Sequence, residues 1–269
     1  MYYNTADSLR STWGWATWKR PSQVWTTWSL WGTGGVRPGD NYQGYIGDCW
    51  YVSTMAALGE WPDRIKSMFT NADQARGIYE LKMWENGRPK KVVIDDWIAM
   101  YSSTSPMMIG KSSDGAIWPI LVEKAGAKYY GTYERLVGGF FGDAYYSLTG
   151  RPHKTWYPTP TATSFFEILK KGEVENDVMW AATYATAGYN LVGGHAYTLL
   201  GARDYTDAAG KAWQLVQLRN PWGYREYNGA FSDYDTVNMN TYAKTALNHT
   251  LNTGDGTFWM PFSTYAATF

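Results

Sequence analysis

The sequence predicts an α+β protein with two subdomains, a helical first half and an antiparallel β-rich second half. Helix-like apolar segments occupy residues 51–69 and 117–130. The second half alternates apolar and polar residues between glycine and asparagine turns, which is typical of half-buried antiparallel strands. A chain of 269 residues is also long enough for its core to divide. We therefore expect subdomains 1–150 and 151–269, joined by a proline-rich crossover at 150–160.

The first predicted helix begins beside the only cysteine of the chain. Cys49 lies where a glycine-containing loop turns into the apolar run 51–58. Backbone N–H groups and the macrodipole at a helix N-terminus stabilise a thiolate, which lowers the thiol pKa. Cys49 is therefore a candidate nucleophile, although a free cysteine is also commonly a small buried apolar residue.

Two predicted strands in the second half are bordered by polar side chains, one at its start and the other at its end. His195 is one of three histidines, and it follows Gly193 and Gly194, which allow close backbone approach. An apolar, strand-like run, 196–200, comes directly after it. Residues 214–219 predict another strand, which ends at Asn220 in an Asn-Pro-Trp-Gly turn. Both positions are suited to presenting a side chain to a site.

The order Cys49, His195, Asn220 is similar to that of papain-like cysteine peptidases. In that arrangement His195 takes the thiol proton and later protonates the leaving amine, while Asn220 sets the orientation and tautomer of the imidazole. Gln43, six residues before the cysteine, would donate its amide to the oxyanion together with the Cys49 backbone N–H. We expect an active-site cleft between the subdomains.

Ordered sequence blocks from about residue 14 to 265 extend this resemblance to one family. The blocks are Trp-Lys-Arg-Pro at 18–21, 43–50 around the cysteine, Val-Ile-Asp-Asp at 93–96, 118–128, Gly-Gly-His-Ala-Tyr at 193–197, Arg-Asn-Pro-Trp-Gly at 219–223 and Asp-Gly-Thr-Phe-Trp-Met at 255–260. They resemble the protease core of the calpains, the calcium-dependent branch of the papain-like cysteine peptidases. The resemblance implies a papain-like fold and limited endoproteolysis through a thioester on Cys49.

The resemblance also implies two calcium sites, one in each subdomain. The matching positions are Gly35, Asp40 and Asp114 in the first subdomain and Glu226, Asp233 and Asp255 in the second. Oxygen ligands of this kind suit Ca²⁺, although any one of these acids alone is equally explained by surface solvation. Thr257 stands where the family usually has an acid, and this exchange is expected to weaken the second site.

Four further residues are implied to line or gate the substrate cleft. Trp222 matches a tryptophan that occupies the cleft of calcium-free calpains, and its alternative role is to shield the bond between His195 and Asn220 from water. The glycines expected to line the cleft are Gly194, Gly138 and Gly139.

Composition is consistent with a cytoplasmic protein, and the resemblance implies that its partners are protein substrates. Lys and Arg together number 24, as do Asp and Glu, so net charge provides no reason to expect a nucleic-acid or membrane-surface partner. A single cysteine fits a reducing compartment, and no apolar run approaches the ~20 residues that cross a bilayer. No EF-hand loop occurs. We expect a monomeric core that is either a minimal calpain or the protease part of a longer chain.

Two alternatives to proteolysis remain open. A calpain-like scaffold that has lost catalysis would keep the fold, although all the predicted catalytic side chains are present. A transglutaminase-type acyltransferase would use the same nucleophile, but that class generally orients its histidine with aspartate, whereas this chain has Asn220.

Overall fold

The computed structural model describes residues 16–157 and 163–269, which belong to two compact units. The division falls between Lys154 and Thr155, within the proline-rich segment 150–160, of which residues 158–160 lie outside the described residues. Each unit combines helices with antiparallel sheet, so the predicted α+β class is confirmed. Within these ranges, no helix has both the length and the apolar character required to span a bilayer.

The elements are numbered here along the described chain. The helices are α1 (Pro21–Val24), α2 (Cys49–Leu58), α3 (Pro62–Lys66), α4 (Trp118–Tyr130), α5 (Phe141–Thr149), α6 (Thr163–Val174), α7 (Thr241–Leu247) and α8 (Phe262–Thr268). The strands are β1 (Thr17–Lys19), β2 (Phe69–Asp73), β3 (Ile78–Glu85), β4 (Arg88–Asp95), β5 (Ile98–Met100), β6 (Met179–Ala182), β7 (Ala196–Thr206), β8 (Ala212–Arg219) and β9 (Thr257–Pro261). Short 3₁₀ turns occur at Pro38–Asp40 and Glu134–Leu136.

Helix α2 is the central helix of the first unit. Every residue from Trp50 to Leu58 is buried, and Cys49 at its start is only half-buried. A helix that is apolar on all sides must be enclosed by other elements, and α2 packs against α3, α4 and α5. The expectation of one helix over 51–69 is wrong at its end. The chain turns after Leu58, Pro62 begins α3, and β2 starts at Phe69.

The first unit also contains a three-stranded antiparallel sheet, in the order β2-β3-β4. Tyr79, Leu81 and Met83 alternate along β3 and are fully buried, while the residues between them are partly accessible. This two-residue period is the usual pattern of a sheet covered on one face. Helices α4 and α5 pack against the sheet. The strands β1 and β5 form a separate antiparallel pair.

The second unit is built on a four-stranded antiparallel sheet in the order β6-β7-β8-β9. Helix α6 packs on β7, and α8 packs on β8 and β9. Their apolar side chains form one core cluster that includes Phe166, Tyr197, Leu199, Val216 and Phe258. The sheet provides the rigid support for the polar residues described next.

Antiparallel pairing places two candidate catalytic residues at the same edge of this sheet. Strand β7 begins directly after His195, and β8 ends directly before Asn220. In the observed register Thr198 pairs with Arg219. Because the start of one antiparallel strand lies beside the end of its neighbour, the two side chains come together although they are 25 residues apart.

Candidate active site

The predicted nucleophile occupies the first position of α2. The preceding residue, Asp48, is the N-cap, but its side chain makes no capping hydrogen bond to the helix. An aspartate at this position ordinarily accepts a bond from an N–H of the first turn. Cys49 is half-buried and therefore partly accessible to solvent. The positive end of the α2 dipole lies at Cys49, and this position favours the thiolate form of its side chain.

Gln43 lies in a loop that approaches the backbone of a neighbouring segment closely. A Cβ on Gly44 would be 1.9 Å from the carbonyl oxygen of Met108, so only glycine fits there. The Gln43 Nε2 donates to the carbonyl oxygen of Ile46 at 2.7 Å. An amide nitrogen carries two hydrogens, so this bond holds the side chain while leaving a second donor for an oxyanion.

Gly138 and Gly139 lie beside the nucleophile loop. The Gly138 N–H donates to the carbonyl oxygen of Gly47 at 2.9 Å, and Gly138 has a positive φ of 68°. A Cβ on Gly139 would be 2.4 Å from the ring of Trp50. The Trp50 Nε1 is held by the carbonyl oxygen of Leu136 at 2.7 Å. The loop therefore requires small residues to follow the surface next to Cys49.

In the second unit, His195 and Asn220 form a buried hydrogen-bonded pair. The His195 Nε2 lies 3.0 Å from the Asn220 Oδ1. The amide nitrogen of Asn220 donates to the carbonyl oxygen of Arg225 at 2.9 Å, so its oxygen faces the imidazole. This arrangement assigns the ring proton to Nε2 and leaves Nδ1 as the basic nitrogen.

The surroundings of His195 keep the imidazole neutral and fix its plane. Burial lowers the pKa of His195, the bond to Asn220 opposes that shift, and the positive charge of Arg225 reinforces it. The ring of Trp222 lies 4.9 Å from the imidazole, centroid to centroid, at an angle of 50°. The Trp222 backbone N–H also donates to the Asn220 Oδ1 at 3.0 Å. Trp222 therefore contacts both members of the pair, and its shielding and gating roles stay predictions.

Gly194 supports the approach to His195. Its positive φ of 60° favours glycine, although a Cβ there would meet nothing within 4 Å. The preceding Gly193 leaves no room for a side chain, because a Cβ would be 2.2 Å from the carbonyl oxygen of Ala185.

The acidic candidates of the first unit already hold a cation, namely the guanidinium of Arg37. Its Nη2 lies 2.8 Å from Asp114 and 3.4 Å from Asp40. Ser112 Oγ lies 2.9 Å from a carboxylate oxygen of each acid. Asp40 also accepts from the Trp118 indole at 2.9 Å. These side chains are brought together, but around an internal positive charge.

The carboxylate of Asp114 is further occupied by backbone donors. It accepts from the N–H groups of Gly34 and Ala116 at 2.8 and 3.2 Å. Although partial burial alone would raise it, these bonds and the charge of Arg37 hold the pKa of Asp114 below its usual value. Gly35, the predicted carbonyl ligand, lies next to Gly34 with a positive φ of 74°. The first set therefore does not fit Ca²⁺ as arranged.

The second set leaves a buried carboxylate oxygen without a partner. Glu226 is fully buried; its Oε1 accepts from Gly256 at 3.0 Å, and its Oε2 has no hydrogen-bond partner in the described part of the chain. Burial, reinforced by the charge of Asp233, raises the pKa of Glu226 to about 7. Asp255 adds a further negative charge. Such an oxygen favours a proton or a cation.

Asp233 in the second set is partly engaged by another residue. His249 Nε2 lies 2.6 Å from its Oδ1, and the N–H of Asn252 donates to its Oδ2 at 2.6 Å. Asp255 accepts from the N–H of Thr257 at 2.8 Å. Within residues 16–157 and 163–269, no three His, Cys, Asp or Glu side chains are placed so that they could hold a metal ion as they stand.

Sequence reasoning missed several residues of these sites. Arg37 and His249 hold the acidic candidates, and the buried Glu123 carboxyl interacts electrostatically with Asp48, the residue before Cys49. The only local signal for Glu123 is its place inside the block 118–128, and Arg37 lies three residues before Asp40. Neither position indicates its long-range partner, because the interactions of Glu123 with Asp48 and of Arg37 with Asp114 join distant parts of the chain.

Comparisons with known proteins agree with the resemblance. The family described as calpain family cysteine protease matches residues 2–269. Human Calpain-9 is 30% identical over 94% of this chain and 38% of its own length, and the mouse Calpain-2 catalytic subunit is 32% identical over 92% and 37%. The Arabidopsis thaliana calpain-type cysteine protease DEK1 is 30% identical over 87% of this chain and 11% of its own. The chain thus spans less than half the length of these relatives. It belongs to the calpain family of cysteine proteases.

Proposed function

We propose that this chain is an active cysteine endopeptidase that uses Cys49, His195 and Asn220. The observation that carries the proposal is the 3.0 Å bond between His195 Nε2 and Asn220 Oδ1. It leaves Nδ1 as the nitrogen that can accept the thiol proton. Membership of a cysteine protease family, with a cysteine at the first position of a helix, supports the same reading.

Acylation would begin with transfer of the Cys49 thiol proton to His195 Nδ1, for which the two groups must come within hydrogen-bond reach. The thiolate attacks the scissile carbonyl carbon, and the oxyanion accepts bonds from the Gln43 amide and the Cys49 backbone N–H. Collapse of this intermediate breaks the C–N bond. The imidazolium then gives its proton to the leaving amine, and a thioester remains on Cys49.

Deacylation would repeat the sequence with water. Neutral His195 takes a proton from a water molecule while the water oxygen attacks the thioester carbon. The C–S bond breaks, the thiolate regains the proton from the imidazolium, and a carboxylic acid product is released. Burial lowers the pKa of His195 and thereby keeps the imidazole in its basic form near neutral pH.

We further propose that Ca²⁺ regulates the protein through the second unit. Glu226, Asp233 and Asp255 would hold the ion, because the unpartnered Glu226 Oε2 is a buried site for positive charge. The bound ion would supply charge neutralisation among carboxylates that otherwise repel one another. We assign no ion to the first unit, where Arg37 already neutralises Asp40 and Asp114.

Protein substrates are part of the proposal. The Trp222 ring packs on the His195 imidazole and lies next to Tyr224, with 5.7 Å between the Trp222 and Tyr224 ring centroids. A peptide that reaches His195 would therefore contact the aromatic surface that covers the pair of His195 and Asn220. The single cysteine favours a reducing, cytoplasmic environment, in which its thiol remains available.

Cleavage of fluorescent casein, with calcium or with excess chelator, tests the proposal. We expect hydrolysis by the unmodified chain, none by Cys49→Ser and a strongly reduced rate in His195→Ala. In parallel, an epoxide inhibitor should add one mass equivalent to the unmodified chain and none to Cys49→Ser. Labelling without hydrolysis would indicate an acyl transfer other than proteolysis, and the absence of both would favour a calpain-like scaffold.

Calcium titration followed by tryptophan fluorescence and calorimetry tests the metal proposal without any turnover. Glu226→Gln should weaken binding, whereas Asp114→Asn should leave it unchanged. Equal loss in both variants would contradict the assignment of the ion to the second unit.

A further inference from the structure

One arginine beside the candidate catalytic pair carries an exposed positive charge. Arg225 lies five residues after Asn220, and its side chain is accessible to solvent. Within the described residues its guanidinium makes one hydrogen bond, to a backbone carbonyl oxygen, and one cation–π contact, and neither partner is an acid. An arginine charge that no carboxylate neutralises is available to bind an anion from outside the chain.

The backbone fixes the point from which this arginine extends. Arg225 has a positive φ of 59°, which is an uncommon conformation for a residue other than glycine. Its carbonyl oxygen accepts from the amide nitrogen of Asn220 at 2.9 Å, and the oxygen of the same amide holds His195. A strained residue that its surroundings hold in place often marks a functional point. The position of Arg225 is thus tied to the candidate catalytic pair.

A second loop holds the guanidinium itself. Its Nε donates to the carbonyl oxygen of Asn190 at 3.2 Å, and the Asn190 side chain donates to the carbonyl oxygen of Glu226 at 2.9 Å. An arginine has five N–H donors, of which Nε carries one. Both terminal nitrogens of Arg225 therefore keep their donors within the described part of the chain. Two terminal nitrogens bind a carboxylate through paired parallel hydrogen bonds.

The guanidinium lies close to the aromatic surface around His195. Its Cζ is 5.9 Å from the centre of the Trp222 ring, and that ring lies 4.9 Å from the imidazole, centroid to centroid. The exposed ring of Tyr224 lies 5.7 Å from Trp222. Arginine, tyrosine and tryptophan are the residue types that are enriched where proteins bind other polypeptides. This surface therefore has the composition of a peptide-binding site.

The acids on the neighbouring segments are bonded to other groups. Glu226, the residue after Arg225, is fully buried, and its Oε1 accepts from the Gly256 N–H at 3.0 Å. Asp255 accepts from the Thr257 N–H at 2.8 Å. Because neither acid is paired with Arg225, the guanidinium stays available to a carboxylate of a bound peptide.

The proposed reaction brings one half of the substrate to this surface. His195 gives its proton to the leaving amine, so the leaving nitrogen must come within hydrogen-bond distance of the imidazole. The residues that follow the scissile bond are attached to this nitrogen. Each extended residue advances the chain by about 3.3 to 3.6 Å. Two or three such residues span the distance from the imidazole past Trp222 to the guanidinium.

We propose that Arg225 selects substrates that carry an aspartate or glutamate among the first three residues after the scissile bond, by binding the side-chain carboxylate through its terminal nitrogens. The inference rests on the proposed function, because it concerns the substrate of that reaction. The rings of Trp222 and Tyr224 provide apolar surface for the methylene groups of such a side chain.

Cleavage-site profiling tests this selection. A library of C-terminally amidated peptides is treated with the unmodified chain, and the new termini are identified by mass spectrometry. Aspartate and glutamate should be enriched about threefold or more at one of the three positions. Arg225→Gln should abolish this enrichment, and Arg225→Glu should replace it with a preference for lysine and arginine. Acid enrichment that is absent in the unmodified chain, or unchanged in either folded variant, would overturn the inference.

Lys211→Gln is the matched control. Lys211 is exposed in the turn between β7 and β8, at the opposite end of these strands from His195 and Asn220. The substitution removes one positive charge from the same unit, as Arg225→Gln does. It should leave the acid enrichment unchanged, and an equal loss in both variants would show that net charge, and not Arg225, sets the preference.

A matched peptide pair measures the size of the effect without any substitution in the protein. Two amidated peptides differ only in Glu or Gln at the enriched position. The kcat/KM of the Glu peptide should be about three- to tenfold higher at about 0.05 M salt, and the ratio should fall toward one at about 0.5 M. Taking this ratio also in Arg225→Gln cancels effects common to both peptides, including the influence of the Arg225 charge on the pKa of His195. Equal kcat/KM values for the two peptides in the unmodified chain would contradict the proposal.

Peptide binding separates this inference from the proposed function. Fluorescence anisotropy gives the Kd of Cys49→Ser for amidated, casein-derived octapeptides in which Glu or Gln occupies each position in turn. At one position Glu should bind about three- to tenfold more tightly than Gln, and Arg225→Gln in the same background should remove the difference. A chain that hydrolyses no peptide would refute the proposed function, but this difference in Kd would still support the role of Arg225. Equal affinities at every position, or no binding of any octapeptide, would refute that role.

Discussion

Replacement of Asn220 by alanine removes three hydrogen bonds at one buried point. The Asn220 Oδ1 accepts from His195 Nε2 and from the Trp222 N–H, each at 3.0 Å, and its Nδ2 donates to the carbonyl oxygen of Arg225 at 2.9 Å. The side chain is fully buried, so water cannot readily replace these partners. Asn220→Ala is therefore expected to affect both stability and chemistry.

The magnitudes follow from these bonds. Each is worth about 1 kcal/mol net, which gives a loss of about 3 kcal/mol in the free energy of unfolding. For catalysis, the relevant loss is the bond that keeps the proton on His195 Nε2. One such bond of about 1 to 3 kcal/mol corresponds to a fall of about 5- to 150-fold in kcat/KM. Removal of the base itself in His195→Ala should cost more, about 10²- to 10⁴-fold.

Urea unfolding and casein hydrolysis measure these two quantities. Asn228→Ala is a suitable control, because Asn228 is exposed and its backbone N–H makes the bond to Tyr189 without the side chain. The free energy of unfolding of the control should stay within about 0.5 kcal/mol of the unmodified chain, and its kcat/KM within about twofold. A folded Asn220→Ala variant with kcat/KM within twofold of the unmodified chain would refute the claim that this residue orients the imidazole.

Three other outcomes are expected. Arg37→Gln removes the cation that lies between Asp40 and Asp114 and should allow these acids to bind calcium. Calorimetry should then show a second binding event. An unchanged number of calcium ions bound per chain would count against this interpretation. Because burial lowers the pKa of His195, the neutral imidazole contributes fully to the free energy of unfolding above about pH 6.5, and this contribution is lost as pH falls through the folded pKa. His195→Gln should abolish this pH dependence in urea titrations. An identical dependence of stability on pH in the variant and the unmodified chain would contradict the prediction. Gly139→Ala, whose Cβ would be 2.4 Å from Trp50, should lower the free energy of unfolding by about 1 to 3 kcal/mol. Gly39→Ala is the control, because a Cβ there meets nothing within 4 Å, and its stability should be nearly unchanged. Equal melting temperatures of the two variants would disprove the clash.

Local sequence signals located the elements that bear the candidate catalytic residues. The structure starts α2 at Cys49, begins β7 after His195 and ends β8 before Asn220. Helix 118–130 also lies where its pattern predicted it, one residue shorter at its start. Those signals depend on residues a few positions apart. The roles of Cys49, His195, Asn220 and Gln43 in catalysis, and of the acids in binding calcium, stay predictions.

The first unit shows where local pattern falls short. Its sheet β2-β3-β4 was not expected from a half that was predicted to be helical. Strands β3 and β4 are rich in charged residues on one face, because only Tyr79, Leu81, Met83 and their neighbours face the interior. The alternation of buried and accessible residues along β3 is a strand signal in the sequence, whereas the order of the three strands depends on tertiary packing.

By itself, the sequence determined the family, the α+β class and the places of the candidate nucleophile and of the candidate histidine and asparagine along the chain. Only the tertiary structure decided how charge is neutralised around them. His249 contacts Asp233 across 16 residues of sequence, and Arg37 contacts Asp114 across 77. Burial and long-range contact set the protonation and pairing of such groups, because both depend on the surrounding atoms rather than on the adjacent residues.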